Sequence, residues 1–80
     1  MPVTVLLFAS YADAFGRREL PLDVAPGATV RDVVELVRAE PGGAALPERP
    51  AVAVNERYAA YGAGVFAGDE IAFIPPVAGG

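Results

Sequence analysis

One segment of the chain, residues 29–40, has the spacing of apolar residues that is typical of an amphipathic α-helix. The apolar positions follow the i, i+3, i+4, i+7 rule; they are Val30, Val33, Val34 and Val37. Thr29 has the character of an N-cap, and Pro41 requires the helix to end just before it. Because one main helix can cover only one face of a sheet, this segment constrains the possible folds more than any other feature.

Segments with strand-like patterns lie on both sides of this helix. They are residues 3–9, 17–24, 51–55 and 70–76. Residues 10–16 are interpreted as a loop, and residues 56–64 as a turn-rich connection with room for one short strand. Pro21 has no backbone N–H to donate, so its strand is expected at a sheet edge. The order of elements predicts an α+β fold, in which a mixed sheet of four to five strands carries one main helix on one face.

The alternation of side chains along the strands predicts which residues face the helix. These residues are Val3, Val5, Leu7, Leu20, Leu22, Ile71 and Phe73. On the opposite face, Leu6, Phe8 and Ile74 are expected to form an exposed apolar patch, because no second main helix covers them. Patches of this kind mark surfaces that bind partners. The alternative is that loops cover these three side chains.

The residue types that are missing narrow the chemistry of the chain. The sequence has no Cys and no His, which excludes disulfides and thiolate or imidazole metal ligands, so no metal site is expected. It also has no Lys, and therefore no side-chain amine for modification. With 80 residues, folding buries only about 60% of the unfolded surface. Residues 1–80 are thus interpreted as a single domain without a deep catalytic pocket.

The net charge of −4 also narrows the choice of partners. All six basic residues are arginines and none of them forms a dense basic patch in the sequence, so nucleic acid is not an expected partner. The opening residues lack the basic region of a signal peptide. Their apolar run is far shorter than the roughly 20 residues that span a bilayer. A cytoplasmic protein without membrane contact is expected.

The sequence ends with "IPPVAGG", in which residues 75–80 form a predicted tail. A final Gly-Gly arises by chance in roughly 1 of 80 chains of this composition. Pro75 and Pro76 stiffen the base of the tail, and Gly79 and Gly80 lack side chains that would block a narrow channel. Fully extended, the tail reaches about 20 Å. This design indicates that the terminal carboxylate enters the active site of another protein.

Four stretches of the sequence carry the features of a known family. They are "VTVLLFA" (3–9), "ATVRDVVELV" (28–37), "VAVNE" (52–56) and "GDEIAFIPPVAGG" (68–80). Together they resemble the small, sulfur-carrying subunit of molybdopterin synthase, a ubiquitin-like β-grasp protein. The last stretch is the most specific of the four, and the resemblance covers nearly the whole chain.

The resemblance implies a role that requires no catalytic side chain of this chain. An activating enzyme that uses ATP and Mg²⁺ adenylates the terminal carboxylate on Gly80, and a sulfur donor protein then supplies sulfur to give a thiocarboxylate. The sulfur passes to a pterin precursor in the large subunit of the synthase. The chain is then the sulfur-donating subunit of a heterotetrameric enzyme whose product is molybdopterin, and no cofactor binds to the chain itself.

The resemblance also implies roles for individual residues. Gly80 carries the reacting carbon and sulfur, and Gly79 keeps the end of the tail slim. The residues expected to bind the partners come from the tail and from the open face of the sheet. They are Pro75, Pro76, Val77 and Ala78, together with Phe8, Ile74 and Leu6.

Three other functions fit parts of the same sequence. A sulfur carrier for thiazole synthesis or tRNA thiolation has the same fold, the same Gly-Gly and the same adenylation. A ubiquitin-like modifier transfers its activated terminus to an amine instead of a pterin. A plain interaction domain with an accidental Gly-Gly needs no activation. Tyr11, Tyr58 and Tyr61 are scattered in the sequence and are interpreted as ordinary surface or core residues.

Overall fold

The computed structural model describes residues 1–76 and shows a five-stranded mixed sheet with the main helix packed against one face. The order of the strands in the sheet is β2-β1-β5-β3-β4. The elements are β1 (Pro2–Leu7), α1 (Ala9–Phe15), β2 (Glu19–Asp23), α2 (Val30–Arg38), a 3-10 turn (Gly43–Ala45), β3 (Ala51–Val54), β4 (Arg57–Tyr58) and β5 (Glu70–Ile74). The fold class predicted from the sequence is confirmed.

The two longest-range strand pairings lie at the centre of the sheet. β1 pairs with β5 in parallel, so that Val5 lies beside Ile71, and β3 pairs with β5 in the antiparallel sense. The antiparallel pairs β1–β2 and β3–β4 flank them on the two sides. The sheet is therefore mixed, and the last strand of the sequence is its middle strand.

Pro21 lies in β2, which is an edge strand as predicted. The Leu7 N–H donates to the Arg18 carbonyl at 2.8 Å and the Val24 N–H donates to the Met1 carbonyl at 2.8 Å. Because hydrogen-bonded pairs alternate along an antiparallel ladder, the Thr4–Pro21 pair between them is a non-hydrogen-bonded pair. The backbone nitrogen of Pro21 thus faces away from β1, toward the open edge of the sheet, and no hydrogen-bond donor is needed on that side.

The N-terminus of α2 is fixed by its cap and by the segment that precedes β5. Thr29 and Asp32 form a reciprocal capping box. The N–H groups of Val30 and Arg31 donate to the carbonyls of Ala63 and Tyr61 at 2.9 and 3.0 Å. The first N–H groups of a helix lack partners within the helix, so these bonds fix the position of α2 relative to residues 61–65.

The core lies between α2 and the sheet. The four valines of the predicted helix stripe are buried, as are six of the seven strand residues predicted to face them. The seventh, Leu22, is half-buried and packs against the edge of the core because β2 is an edge strand. Burial of each such side chain contributes about 1.5–3 kcal/mol, so this contact is the main source of stability.

The loop predicted for residues 10–16 is wrong, because these residues form most of helix α1. The predicted strand 3–9 also ends earlier, at Leu7, since Ala9 has a φ of 47° that no strand allows. Tyr11 and Phe15 lie four residues apart on α1 and pack on the core cluster. A helix of seven residues has little intrinsic stability, so α1 depends on this packing.

Gly42 lies against the backbone of α1. A Cβ atom at this position would lie 2.6 Å from the Ala14 carbonyl oxygen and 2.9 Å from the Phe15 Cα, and Gly42 has a φ of 96°. Gly27 has a similar φ of 85°, but nothing lies within 4 Å of a Cβ atom there. Alanine substitutions at the two glycines therefore separate the free-energy cost of the left-handed backbone conformation from the cost of a steric clash.

We expect Gly42→Ala to destabilise the protein more than Gly27→Ala. The left-handed conformation costs a residue with a Cβ atom about 1–2 kcal/mol at either site, and only Gly42→Ala also displaces α1. The free energies of unfolding of the two variants and the wild type, from urea titrations, measure the difference. Equal losses for the two variants would show that α1 is not packed tightly on Gly42.

Candidate functional site

A row of apolar side chains crosses the face of the sheet opposite α2. Leu6 lies beside Ala72, Ala72 beside Ala53, and Ala53 beside Tyr58. The row follows from the period-2 alternation of the strands, since the residues before and after each member of the row point to the opposite face, into the core. Leu6 and Ala72 are half-buried, while Tyr58 is 78% exposed. This face offers an apolar surface that spans four strands.

Phe8 and Ile74 extend this surface at the end of the sheet from which the tail leaves. Leu7 pairs with Phe73, so the next residues of both strands come side by side on the open face. Phe8 follows β1 in an extended conformation and its side chain is 46% exposed, while Ile74 is half-buried. The structure thus brings Leu6, Phe8 and Ile74 together, and loops leave Phe8 uncovered. Their role in binding partners stays a prediction.

A groove of about 340 Å³ lies at the base of the tail. Ile74, Pro75 and Pro76 line one part of it, and Tyr11 and Tyr58 line another. The sequence did not indicate that these two tyrosines share a site, because they come from α1 and β4 and only the folded sheet brings them together. The alternating pattern of β4 was too short to reveal the position of Tyr58.

Tyr61 and Arg49 form a fixed contact beside this groove. The Tyr61 hydroxyl donates a hydrogen bond to the Pro50 carbonyl. The central guanidinium carbon of Arg49 lies 4.6 Å from the centroid of the Tyr61 ring, a distance typical of a cation–π contact. Burial raises the pKa of Tyr61, Arg49 acts in the opposite direction, and the nearby Tyr11 adds to the rise.

The remaining predicted site residues are Val77, Ala78, Gly79 and Gly80, and they lie outside the described residues. Pro75 is half-buried and Pro76, the last described residue, is exposed.

Within residues 1–76, no group of three His, Cys, Asp or Glu side chains is placed to hold a metal ion. In the same part of the chain, no helix is long and apolar enough to cross a membrane.

The mixed sheet, the helix across one of its faces and the last strand at its centre define a ubiquitin-like β-grasp protein. The chain belongs to the ThiS family of ubiquitin-like sulfur carriers, whose sequence pattern matches residues 5–80. The match includes all the residues of the predicted tail.

Three comparisons with individual proteins agree with this assignment. Small archaeal modifier protein 1 of Haloferax volcanii is 39% identical over 83 residues, which cover 92% of this chain and 95% of the relative. A crystal structure of SAMP1 from Haloferax volcanii superposes with a TM-score of 0.87 at 36% identity, and all of both chains is covered. A Pyrococcus furiosus chain assigned as molybdopterin converting factor, subunit 1, has a TM-score of 0.82 at 25% identity, with 96% and 99% covered.

The buried Tyr11 and the half-buried Tyr61 predict how stability depends on pH. Burial raises the pKa of Tyr11 and of Tyr61 above the ordinary value of 10.0. The folded chain therefore holds these two protons more tightly than the unfolded chain. The stability that results is fully present below the unfolded pKa and is lost as the pH rises through the folded pKa.

We expect the free energy of unfolding to fall over the pH range that begins at about 10, the ordinary pKa of tyrosine, and extends upward. Urea titrations across this range measure the fall, and Tyr61→Phe should make it shallower because one of the two groups is removed. The ultraviolet absorbance of tyrosinate provides an independent check. If the folded and the urea-unfolded chain gave the same absorbance titration, neither phenol would be protected by burial.

Proposed function

We propose that this chain is the sulfur-carrying small subunit of molybdopterin synthase, and that its terminal Gly-Gly is the group that carries the sulfur. The observation that carries the proposal is the match to the ThiS family, which runs through Gly80. Support for the molybdopterin branch comes from the Pro-Pro at the base of the tail and from the likeness to the Pyrococcus furiosus subunit. The open apolar face supports a function that depends on partner proteins.

The first step activates a carboxylate that is otherwise a poor electrophile. At neutral pH the terminal carboxylate of Gly80 is ionised. One of its oxygens attacks the α-phosphorus of ATP in the activating enzyme, so that a carboxyl–AMP bond forms and pyrophosphate leaves. The negative charge of the carboxylate is thereby removed, and AMP becomes a good leaving group.

The second step places sulfur on the tail. A sulfide-level sulfur from a donor protein attacks the carbonyl carbon of Gly80, the new C–S bond replaces the bond to AMP, and AMP leaves. In the large subunit, the thiocarboxylate sulfur attacks a carbon of the pterin precursor, the carbon–oxygen bond at that carbon breaks and the oxygen leaves with a proton from the large subunit. Water then cleaves the C–S bond to Gly80, which restores the carboxylate and leaves the sulfur on the pterin as a thiol. A dithiolene needs two sulfurs, so two copies of the chain, each carrying a thiocarboxylate, are used for each product molecule.

The proposed mechanism divides the work between two proteins. This chain has no His and no Cys, and burial raises the pKa of Tyr11 and Tyr61 still further above neutral pH. The acid–base groups therefore come from the partner, while this chain supplies the reacting atom, the reach of its tail and a docking face. That face contains Leu6, Phe8 and Ile74.

A second candidate function is supported by one specific observation. The chain is 39% identical to small archaeal modifier protein 1, whose name describes a protein modifier. A modifier uses the same adenylated Gly80 but transfers the carbonyl carbon to an amine, so that AMP leaves and an amide forms. Because the 80 residues contain no lysine, conjugation through lysines cannot link copies of this chain to one another.

We expect the protein purified from its own host to carry a mass shift of about +16 Da on Gly80, since sulfur replaces oxygen in a thiocarboxylate. Intact and fragment mass spectrometry measures the shift. Deletion of Gly80 should abolish sulfur loading and leave the melting temperature unchanged. An unmodified carboxylate after incubation with ATP and host extract would contradict the proposal, and an amide-linked peptide on Gly80 would establish the modifier function instead.

We expect Phe8→Ala to weaken binding to the large subunit about tenfold or more, because a half-exposed aromatic residue at a docking face is a typical hot spot. The loss of folding free energy should stay at about 1 kcal/mol or less. Phe66→Ala is the matched control, since Phe66 is 69% exposed in the turn before β5, at the opposite end of the sheet. Calorimetric titration and thermal unfolding separate the two effects. A lower melting temperature without a loss of affinity would place Phe8 in the core.

A further inference from the structure

A groove of about 280 Å³ lies between α2 and the loops around Arg49 and Tyr61, on the helix side of the molecule. We call it the arginine groove. The polar and aromatic side chains that line it are Arg31, Glu35 and Arg38 from α2, Glu48 and Arg49 from the loop before β3, and Tyr61. The open face that contains Phe8 is a different surface.

The arginine groove is a positive site in an acidic chain. It holds three of the six arginines and two glutamates, so its formal charge is +1, whereas the whole chain carries −4. Arg31 and Arg38 flank Glu35 at helical spacing, yet within residues 1–76 neither guanidinium lies within 4.0 Å of a carboxylate oxygen. The ion pair found within residues 1–76 is formed by the Met1 amine and Asp23, away from the groove. The guanidinium groups of the groove are thus available to an external anion.

Tyr61 makes one wall of the groove rigid. Its hydroxyl is bonded to the Pro50 carbonyl and its carbonyl accepts the Arg31 N–H at 3.0 Å, so the residue is held from both ends. The Arg49 side chain lies over the ring and is oriented by this contact. An oriented guanidinium binds an oxyanion at a lower entropic cost than a free one.

Arg49 also connects the arginine groove to the base of the tail. The same side chain lines the groove that contains Ile74, Pro75 and Pro76. A protein that encloses the base of the tail therefore comes within reach of Arg49. The two grooves share Arg49 and are therefore continuous at that residue.

We propose that the arginine groove binds a carboxylate side chain, Asp or Glu, of the protein that holds the tail. The inference rests on the proposed function, because it assigns the occupant to that partner. One carboxylate neutralises the formal charge of +1, whereas a dianionic phosphate leaves an excess of negative charge beside Glu35 and Glu48. The planar fork of a guanidinium matches the two oxygens of a carboxylate.

The test compares Arg49→Gln with Arg57→Gln in binding to the purified large subunit of the host's molybdopterin synthase. Both substitutions remove one positive charge, but Arg57 lies on β4 next to the Asn55-Glu56 turn and does not line the groove. Isothermal titration calorimetry at low and high NaCl gives the Kd and its dependence on salt. Arg31→Gln serves as a second groove variant, and thermal unfolding confirms that each variant is folded.

We expect Arg49→Gln and Arg31→Gln to raise the Kd about tenfold at low salt, with a weaker salt dependence than the wild type and no change for Arg57→Gln. If the wild type binds the large subunit and the groove variants match Arg57→Gln, the inference is wrong and the proposed function stands. If the wild type does not bind the large subunit at all, the proposed function is wrong and the inference is lost with it. Inorganic phosphate is also added to the wild type and to Arg49→Gln, and their melting temperatures are compared. If phosphate stabilises only the wild type while both proteins bind the large subunit equally, the groove takes free phosphate and the inference is overturned.

Discussion

The contact between the valine stripe of α2 and the central strands is the interaction on which the rest of the structure depends. Val30, Val33 and Val37 are fully buried against a sheet whose middle strand supplies Ile71 and Phe73. A chain of 80 residues has little further apolar surface with which to build a second layer. The sheet therefore has one buried face and one open face. The apolar row on the open face stays uncovered because the chain is too short to build a second layer over it.

This constraint explains why most of the fold was predictable from the sequence. The helix stripe, the alternation of β1 and β5 and the edge position of Pro21 are local patterns that point to the same arrangement. Helix α1 was missed because seven residues cannot show a helical period clearly, and because its stability comes from Tyr11 and from the close approach of Gly42. Both contacts are tertiary and leave no signal within residues 10–16.

The positions of the candidate site residues were predictable to a similar extent. The placement of Leu6, Phe8 and Ile74 on the open face follows from strand alternation alone, since a period of two assigns every residue to one face, and their role in binding stays a prediction. The tyrosines at the base of the tail and the three arginines of the arginine groove were not, because each set joins residues from separate elements. The net charge of −4 also conceals a local site of the opposite sign, since a sum over the chain carries no information on position.

The two surfaces differ in what they contribute to recognition. An apolar face supplies most of the binding free energy but discriminates poorly, because many proteins carry a complementary apolar patch. Under the proposed function, the chain is accepted first by an activating enzyme and then by an acceptor protein, and the same activated tail suits a pterin or an amine. The chemistry of Gly80 therefore cannot select the acceptor. If the arginine groove binds a carboxylate of the partner, as proposed, it can select the acceptor, because a partner without a carboxylate at the right position leaves Arg49 desolvated and unpaired.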